Sequence, residues 1–340
     1  MMRTRRFSGR WPIAAALALA WLAAASPAGA QPGVLRVVTA GRERYVTLRD
    51  FAAAWGLSYS LPAARLVELS SSWTRIRFET NSREAWFNGL HIWLHAPVVT
   101  VQQRWAITEA DAKKVIEPLL RKNALLRGQR ARVIVLDPGH GGQDAGAQGR
   151  RGVQEKGMVL DIAKRARTHL ANAGYKVYLT RDTDRFIELE TRAARAAAWG
   201  ADLFVSIHLN AATASTAKGI ETYVLAVPGY PPTSAAAGSS VPRLVFPGNR
   251  NDSANAILGY YLHKALIDKT RAEDRGLRRA RFVVLKNCVR PAVLLECGFL
   301  SNRNEESLML TSAHREALAL AIAKGIMDYS AAVRAAQAAP

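Results

Sequence analysis

Three apolar runs in the second half of the chain each end in a residue that can bind a metal or move a proton: VIVLDPGH at His140, LFVSIH at His208 and AVLLE at Glu296. Runs of this kind are the mark of strands buried on both faces of a sheet and covered by helices. Ligands of open α/β sheets sit outside the carboxyl ends of the strands. Three such strands lying parallel and adjacent would therefore bring two imidazoles and a carboxylate into one cleft. A single histidine at a strand end is more often a hydrogen-bonded structural residue. Three such endings, with Gly139, Gly141 and Gly142 packed around His140, outline a catalytic metal site, because glycine lets backbone approach a bound group closely.

From residue 131 onward strand and helix patterns alternate, as in a doubly wound sheet. After a strand at 132–137 and a glycine-rich loop comes the helix EKGMVLDIAKRARTHLANAG, closed by Gly174. Strand YKVYLTR, helix ELETRAARAAAWG and strands DLFVSIH and GIETYVL follow. Residues 227–252, rich in Pro, Gly and Ser, form a long loop. Helix SANAILGYYLHKALIDKT, strands near 281–286 and 291–296, and an amphipathic helix from about Ser312 to Tyr329 complete a domain over 131–330, leaving 331–340 as a tail. The fold class expected is α/β, a mostly parallel or mixed sheet flanked by helices, with a smaller α+β domain before it.

That smaller domain spans 31–125, and the charged stretch KNALLRGQRAR marks its boundary. A chain of 340 residues fits two folded units. Short strands with aromatic punctuation (VLRVVTA, YVTL, RIRFET, EAWFNG, HIWLHAPVVTV) accompany the helix LRDFAAAWG and a capped helix, ITEADAKKVIEPLL. Trp55, Trp73, Trp86, Trp93 and Trp105 all fall here; packing in a small β core is the commoner use of such rings, and stacking on sugars is the alternative. His91 and His95 share a strand face and read as surface or core residues rather than a metal site.

The first thirty residues read as a signal peptide: arginines to Arg10, an apolar stretch from Ile13 to Ala25, and a small-x-small site before Gln31. Arg5-Arg6 leaves the twin-arginine and general export routes both open. Export to the periplasm, or to the cell envelope or extracellular space, is expected, with no transmembrane segment. Cys288 and Cys297 could pair in an oxidising compartment, or pack singly. Their spacing does not suit a structural zinc site. The net charge of +20, from 47 Lys and Arg against 27 Asp and Glu, implies attraction to a polyanion. Scattered basic residues on an exported chain argue against nucleic acid.

LDPGHGGQDAGA, QEKGMVLDIA, LTRDTD, ADLFVSIHLNA, GIETYVL and LLECGFLSN occur in this order between residues 136 and 302. Together they resemble the zinc-dependent N-acetylmuramoyl-L-alanine amidase family, type 3, over nearly all of 131–330. YVTLRDFAAAWGL and FNG…HAPVV resemble the copper amine oxidase N-terminal-like domain, although no copper ligand set is visible. The amidase resemblance implies a zinc ion held by His140, Glu155 and His208, with Glu296 as the catalytic acid-base. Read from the residues alone, Glu155 could equally be a helix-capping residue, since a carboxylate suits a helix amino terminus.

The resemblance further implies a peptidoglycan hydrolase that cleaves, with zinc-activated water, the amide between N-acetylmuramic acid and the L-alanine of the stem peptide. A zinc peptidase acting within the stem, or a non-catalytic wall-binding protein, are the alternatives. Departures from the family pattern at Ala145, Ala197 and Cys297 remove none of the four implied site residues. Some members of the family carry, after the strand matching GIETYVL, a helix that plugs the site until an activator protein removes it. Here Pro228, Pro231, Pro232, Pro242 and Pro247 interrupt that segment, and proline costs a helix interior ~3 kcal/mol or more. A blocking helix and a requirement for an activator are not expected.

Overall fold

The computed structural model describes residues 33–236, 239 and 241–339; the expected signal peptide lies outside the described residues. The chain begins with β1 (Val37–Ala40), β2 (Glu43–Thr47) and helix α1 (Leu48–Ala54). Next come β3 (Ser58–Ala63), β4 (Leu66–Ser70), β5 (Arg75–Glu79), β6 (Glu84–Phe87) and β7 (Leu90–Trp93). Strands β8 (Val99–Val101) and β9 (Arg104–Thr108) lead into a helical stretch made of α2 (Glu109–Asp111), a π turn (Ala112–Ile116), α3 (Glu117–Leu120) and α4 (Lys122–Leu126). The cap read in the sequence is present: the Thr108 hydroxyl accepts from the Asp111 amide at 3.0 Å.

The second half runs β10 (Val133–Pro138), α5 (Glu155–Asn172), β11 (Lys176–Leu179), α6 (Leu189–Ala198), β12 (Leu203–Asn210) and β13 (Ile220–Leu225). A 3-10 turn (Pro247–Asn251), α7 (Asp252–Thr270), β14 (Asp274–Ala280), α8 (Val283–Lys286), β15 (Ala292–Phe299), α9 (Arg303–Leu310) and α10 (Ser312–Ala338) complete it. The three apolar runs are neighbours. β10 pairs parallel with β12, and β12 parallel with β15, in a register that sets His208 directly beside Glu296. β13 is antiparallel to β15, so the sheet is mixed and the class is α/β, as expected.

The sheet does not stop at the second half. Its order is β11-β10-β12-β15-β13-β14-β7-β6-β5-β4-β3, so five strands of the amino-terminal region extend the edge of the α/β sheet. β1, β2, β9 and β8 form a separate four-stranded sheet. Across the seam Leu277 of β14 lies opposite Ile92 of β7. Both are buried in the same core as Phe78 and Leu258, and each such side chain contributes ~1.5–3 kcal/mol. Hydrogen bonds reinforce the seam: the His91 amide donates to Asp274 at 2.9 Å, the Trp93 indole to the Arg275 carbonyl at 3.0 Å, and the buried Arg279 to the Trp93 carbonyl at 2.8 Å.

Three sequence expectations need correction. The strand expected near 281–286 is helix α8, and the sheet strand is the preceding DRGLRRA. Val284 and Leu285, adjacent in sequence, are both buried in the cluster that holds Phe204 and Leu294; a strand would turn them to opposite faces, whereas a helical turn lets neighbours share one. Residues 331–338 of the expected tail are instead the end of α10, with Val333 and Ala336 buried. Finally, β3, β4 and β9 had no place in the sequence reading. The helices expected at 155–174 and 253–270 are found as α5 and α7, and the described residues of the loop expected at 227–252 are irregular up to the 3-10 turn at Pro247–Asn251.

Candidate metal centre

His140 stands just past β10, where the backbone turns through three residues with positive φ: His140 at 59°, Gly141 at 127° and Gly142 at 60°. A Cβ placed on Gly139 would lie 2.1 Å from Cε1 of His208, so only glycine lets this loop pass the second imidazole. A non-glycine residue in the left-handed region costs of order ~1–3 kcal/mol. Two buried arginines hold the loop there. Arg192 donates to the carbonyls of Pro138 (2.9 Å) and His140 (2.8 Å), and Arg181 to those of Pro138 (3.0 Å) and Gly139 (2.7 Å).

Glu155 is the first residue of α5, where the helix dipole favours an anion. Its Oε1 accepts from the Leu209 amide at 2.9 Å and its Oε2 from the Ala147 amide at 2.8 Å. The carboxylate thus faces both imidazoles: Oε1 is 2.9 Å from His208 Nδ1, and Oε2 is 3.1 Å from His140 Nε2. The two imidazole nitrogens are 3.2 Å apart. Ligand atoms of all three residues lie within 4.8 Å of one another, and among the described residues this is the one such group of His, Cys, Asp and Glu. Burial works to raise the pKa of Glu155, but hydrogen bonds from His140 and His208 outweigh it and bring it to about 2. Burial likewise opposes a charge on His140, and the carboxylates of Glu155 and Asp144 more than compensate, raising its pKa.

Glu296 sits beside this group in mid-β15. Burial first, then the carboxylates of Glu155 and Glu221, push its pKa well above the ordinary glutamate value. Its Oε2 is buried with no hydrogen-bond partner in the protein. Such an orphan is costly unless the function supplies its partner. Two imidazole nitrogens and an anionic oxygen, with a carboxyl on the residue paired with His208 across the neighbouring strand, can hold a divalent cation and move a proton alongside it.

The surroundings of these four residues escaped the sequence reading. Asp144 Oδ2 is 2.8 Å from His140 Nδ1 and so selects the ring nitrogen left free to face the cleft. Asp137, fully buried, accepts from Thr180 (2.5 Å), Ser206 (2.7 Å) and Arg192 (2.9 Å). Asp137 and Asp144 lie inside LDPGHGGQDAGA, and Arg181 inside LTRDTD, so a motif signalled three of them; Arg192, in a helix of alanines, gave none. The other candidates lie elsewhere. His95 is buried on Asp111 at 2.8 Å, His91 stacks on Trp86 at 5.3 Å, and Cys288 and Cys297 are both buried and unpaired.

A type 3 amidase family model, described as N-acetylmuramoyl-L-alanine amidase, matches residues 134–328. The chain belongs to this family. It is a hydrolase of the amidase class, and all four site residues lie within the matched span. The N-acetylmuramoyl-L-alanine amidase AmiA of Escherichia coli is 37% identical over 219 residues, covering 58% of this chain and 76% of that protein. The amidase AmiC of Neisseria meningitidis is 37% identical over 226 residues, 60% of this chain and 54% of its own length. Among solved structures, an N-acetylmuramoyl-L-alanine amidase of Clostridium difficile superposes with a TM-score of 0.50 at 31% identity, over 59% of this chain and 97% of that one. The catalytic domain of the amidase CwlV of Paenibacillus polymyxa gives 0.50 at 34%, over 58% and 97%.

Proposed function

We propose that this amidase hydrolyses peptidoglycan at the amide between the lactyl carbonyl of N-acetylmuramic acid and the stem-peptide L-alanine, with zinc held by His140, Glu155 and His208. The observation that carries the reading is the convergence of these three donors beside the unpartnered Glu296. The donor set fits: a tetrahedral zinc with bonds of ~2.0–2.1 Å keeps its ligand atoms ~3.3 Å apart, close to the 2.9, 3.1 and 3.2 Å found here. Three protein donors match a catalytic rather than a structural zinc site. When bound, zinc supplies Lewis acidity toward water and toward an amide carbonyl.

The chain's own residues do the rest. Glu296 takes a proton from the attacking water as the new C–O bond forms, and delivers it to the L-alanine nitrogen as the C–N bond breaks. Acid-base work of this kind contributes ~10²–10⁴-fold. Burial, with the carboxylates of Glu155 and Glu221 nearby, holds the Glu296 pKa above the ordinary glutamate value, which makes it a stronger proton acceptor than an exposed glutamate. Asp144 orients His140, and Arg181 and Arg192 keep the loop from relaxing away from the cleft.

We further infer an exported enzyme acting in the cell envelope, made as a precursor with a signal peptide at 1–30, with an α+β domain at 31–125 ahead of the catalytic domain at 131–330. Among the described residues no helix is long and apolar enough to cross a membrane. Independence from an activator protein is part of the reading. Among the described residues of 227–246 there is no helix, and the first half of the segment is bonded away from the cleft. Tyr230 donates to Glu43 at 2.7 Å, the Thr233 amide to the Arg279 carbonyl at 2.9 Å, and Arg83 to the Ala235 carbonyl at 3.1 Å.

The test is digestion of purified peptidoglycan by the mature chain, with mass spectrometry of the new ends. Free L-alanine amines matched by free lactyl carboxyls are expected; new ends within the stem would replace this reading with that of a zinc peptidase.

A further inference from the structure

Because the two regions share one sheet, the sheet face that carries Glu296 continues beyond the cleft and reaches solvent at Trp73, Arg75 and Arg77. Residues directly opposite on neighbouring strands share a face. Glu296 lies opposite Glu221, and Tyr223 opposite Arg278. At the seam Leu277 and Ile92 point into the core, so Arg278, His91 and Trp93 point the other way. His91 lies opposite Trp86, and Trp86 opposite Arg77. One face therefore runs from the catalytic carboxyl through arginines and aromatic rings, over about 19 Å from β15 to β6 at ~4.8 Å per strand.

The row is packed as a unit. Arg278 lies 4.6 Å above the Trp93 ring, Trp93 is 5.3 Å from His91, and His91 stacks on Trp86 at 5.3 Å. It opens into a groove of about 680 Å³ lined by Trp73, Arg75, Arg77, Trp86 and Asn88. Trp73 is 61% exposed. The Asn88 side chain accepts from the Arg75 amide at 2.8 Å, tying the β6–β7 turn to the turn that carries Trp73. Strand directions put both turns at the same end of the sheet as the carboxyl end of β15, which is the end with the metal centre.

Guanidinium groups recur along the face, each beside a carboxylate. Glu68 is shared by Arg77 (2.8 Å) and Arg75 (3.5 Å), and Glu221 by Arg275 (2.9 Å) and Arg278 (3.5 Å). Flat aromatic rings suit sugar faces, and forked guanidinium groups suit carboxylates.

The geometry points to this face as a binding surface for a second stretch of the peptidoglycan strand whose stem reaches Glu296, sugars on Trp73 and Trp86 and stem carboxylates on the arginines. The inference rests on the amidase reading for its substrate, yet its test is separate. In the full mature chain carrying Glu296→Gln, co-sedimentation with intact peptidoglycan sacculi reads binding without turnover. Trp73→Ala should raise the apparent Kd about tenfold, ~1.4 kcal/mol, while Trp73→Phe retains the affinity and both variants melt with the parent. Arg75→Glu should weaken binding and flatten its salt dependence. Unaltered affinity in Trp73→Ala and Arg75→Glu overturns the surface. Hydrolysis of a short muramoyl-L-alanyl peptide by the parent chain reads the active site by itself; its absence would sink the amidase reading and leave the binding result standing.

Discussion

His140 combines a strained backbone with a ring held at Nδ1 by Asp144, which leaves Nε2 facing Glu155 in the cleft. A ligand held this way loses little freedom when an ion binds. The mature chain should carry one zinc, and His208→Ala should abolish that stoichiometry in metal analysis by mass spectrometry, with undiminished zinc sinking the ligand assignment. Glu296 should behave differently, because it lies beside the donors rather than among them. Glu296→Gln keeps shape and removes the base, so kcat should fall by ~10²–10⁴ while zinc content stays at one. Loss of the metal together with the activity would give Glu296 another role.

At the scale of elements, the loop after β10 depends on a helix remote in sequence. Arg192 of α6, 2% exposed, pairs with buried Asp137 and closes the loop carbonyls. Removing one partner of a buried pair costs ~3–5 kcal/mol, since the other charge is left uncompensated. Arg192→Ala should lower unfolding free energy in urea by about that amount and weaken zinc retention. A change below ~1 kcal/mol would show the pair to be as weak as a surface one. The segment 227–246 bears on regulation. Its first half is tied to β14 and the amino-terminal region by Thr233, Arg83 and Tyr230. The purified mature chain should release dye from labelled sacculi with no second protein added. Silence until an envelope extract is supplied would return the activator to the scheme.

For the whole molecule, the seam between β7 and β14 decides whether two regions act as one body. Gly276, at φ 94°, leaves room for the Trp93 ring; a Cβ there would meet it at 2.8 Å. A ring packed between His91 and Arg278 has little freedom to retreat. Gly276→Ala combines backbone strain with overpacking, each costing ~1–3 kcal/mol. Hydrogen exchange should then rise in β7 and β14 while β10 and β12 stay protected. Unchanged exchange at the seam would mean that the two regions are joined elsewhere.

The sequence by itself determined the part of this protein governed by local burial. VIVLDPGH, LFVSIH and AVLLE are apolar without alternation because both faces of β10, β12 and β15 are covered, and a donor at the end of each run could be read as facing a common cleft. Glu155 needed the motif, since a glutamate opening a helix has a sufficient reason in the helix itself. Only the tertiary structure decided what depends on partners distant in the chain. DRGLRRA reads poorly as a strand, and it lies inside the sheet because β13 and β7 supply its hydrogen bonds on either side while Arg279 finds the Trp93 carbonyl. The arginine clamp on the His140 loop, and the single sheet that carries one face from Glu296 to Trp73, arise the same way. Periodicity records whether a side chain is buried, whereas register and the satisfaction of buried polar groups record against what.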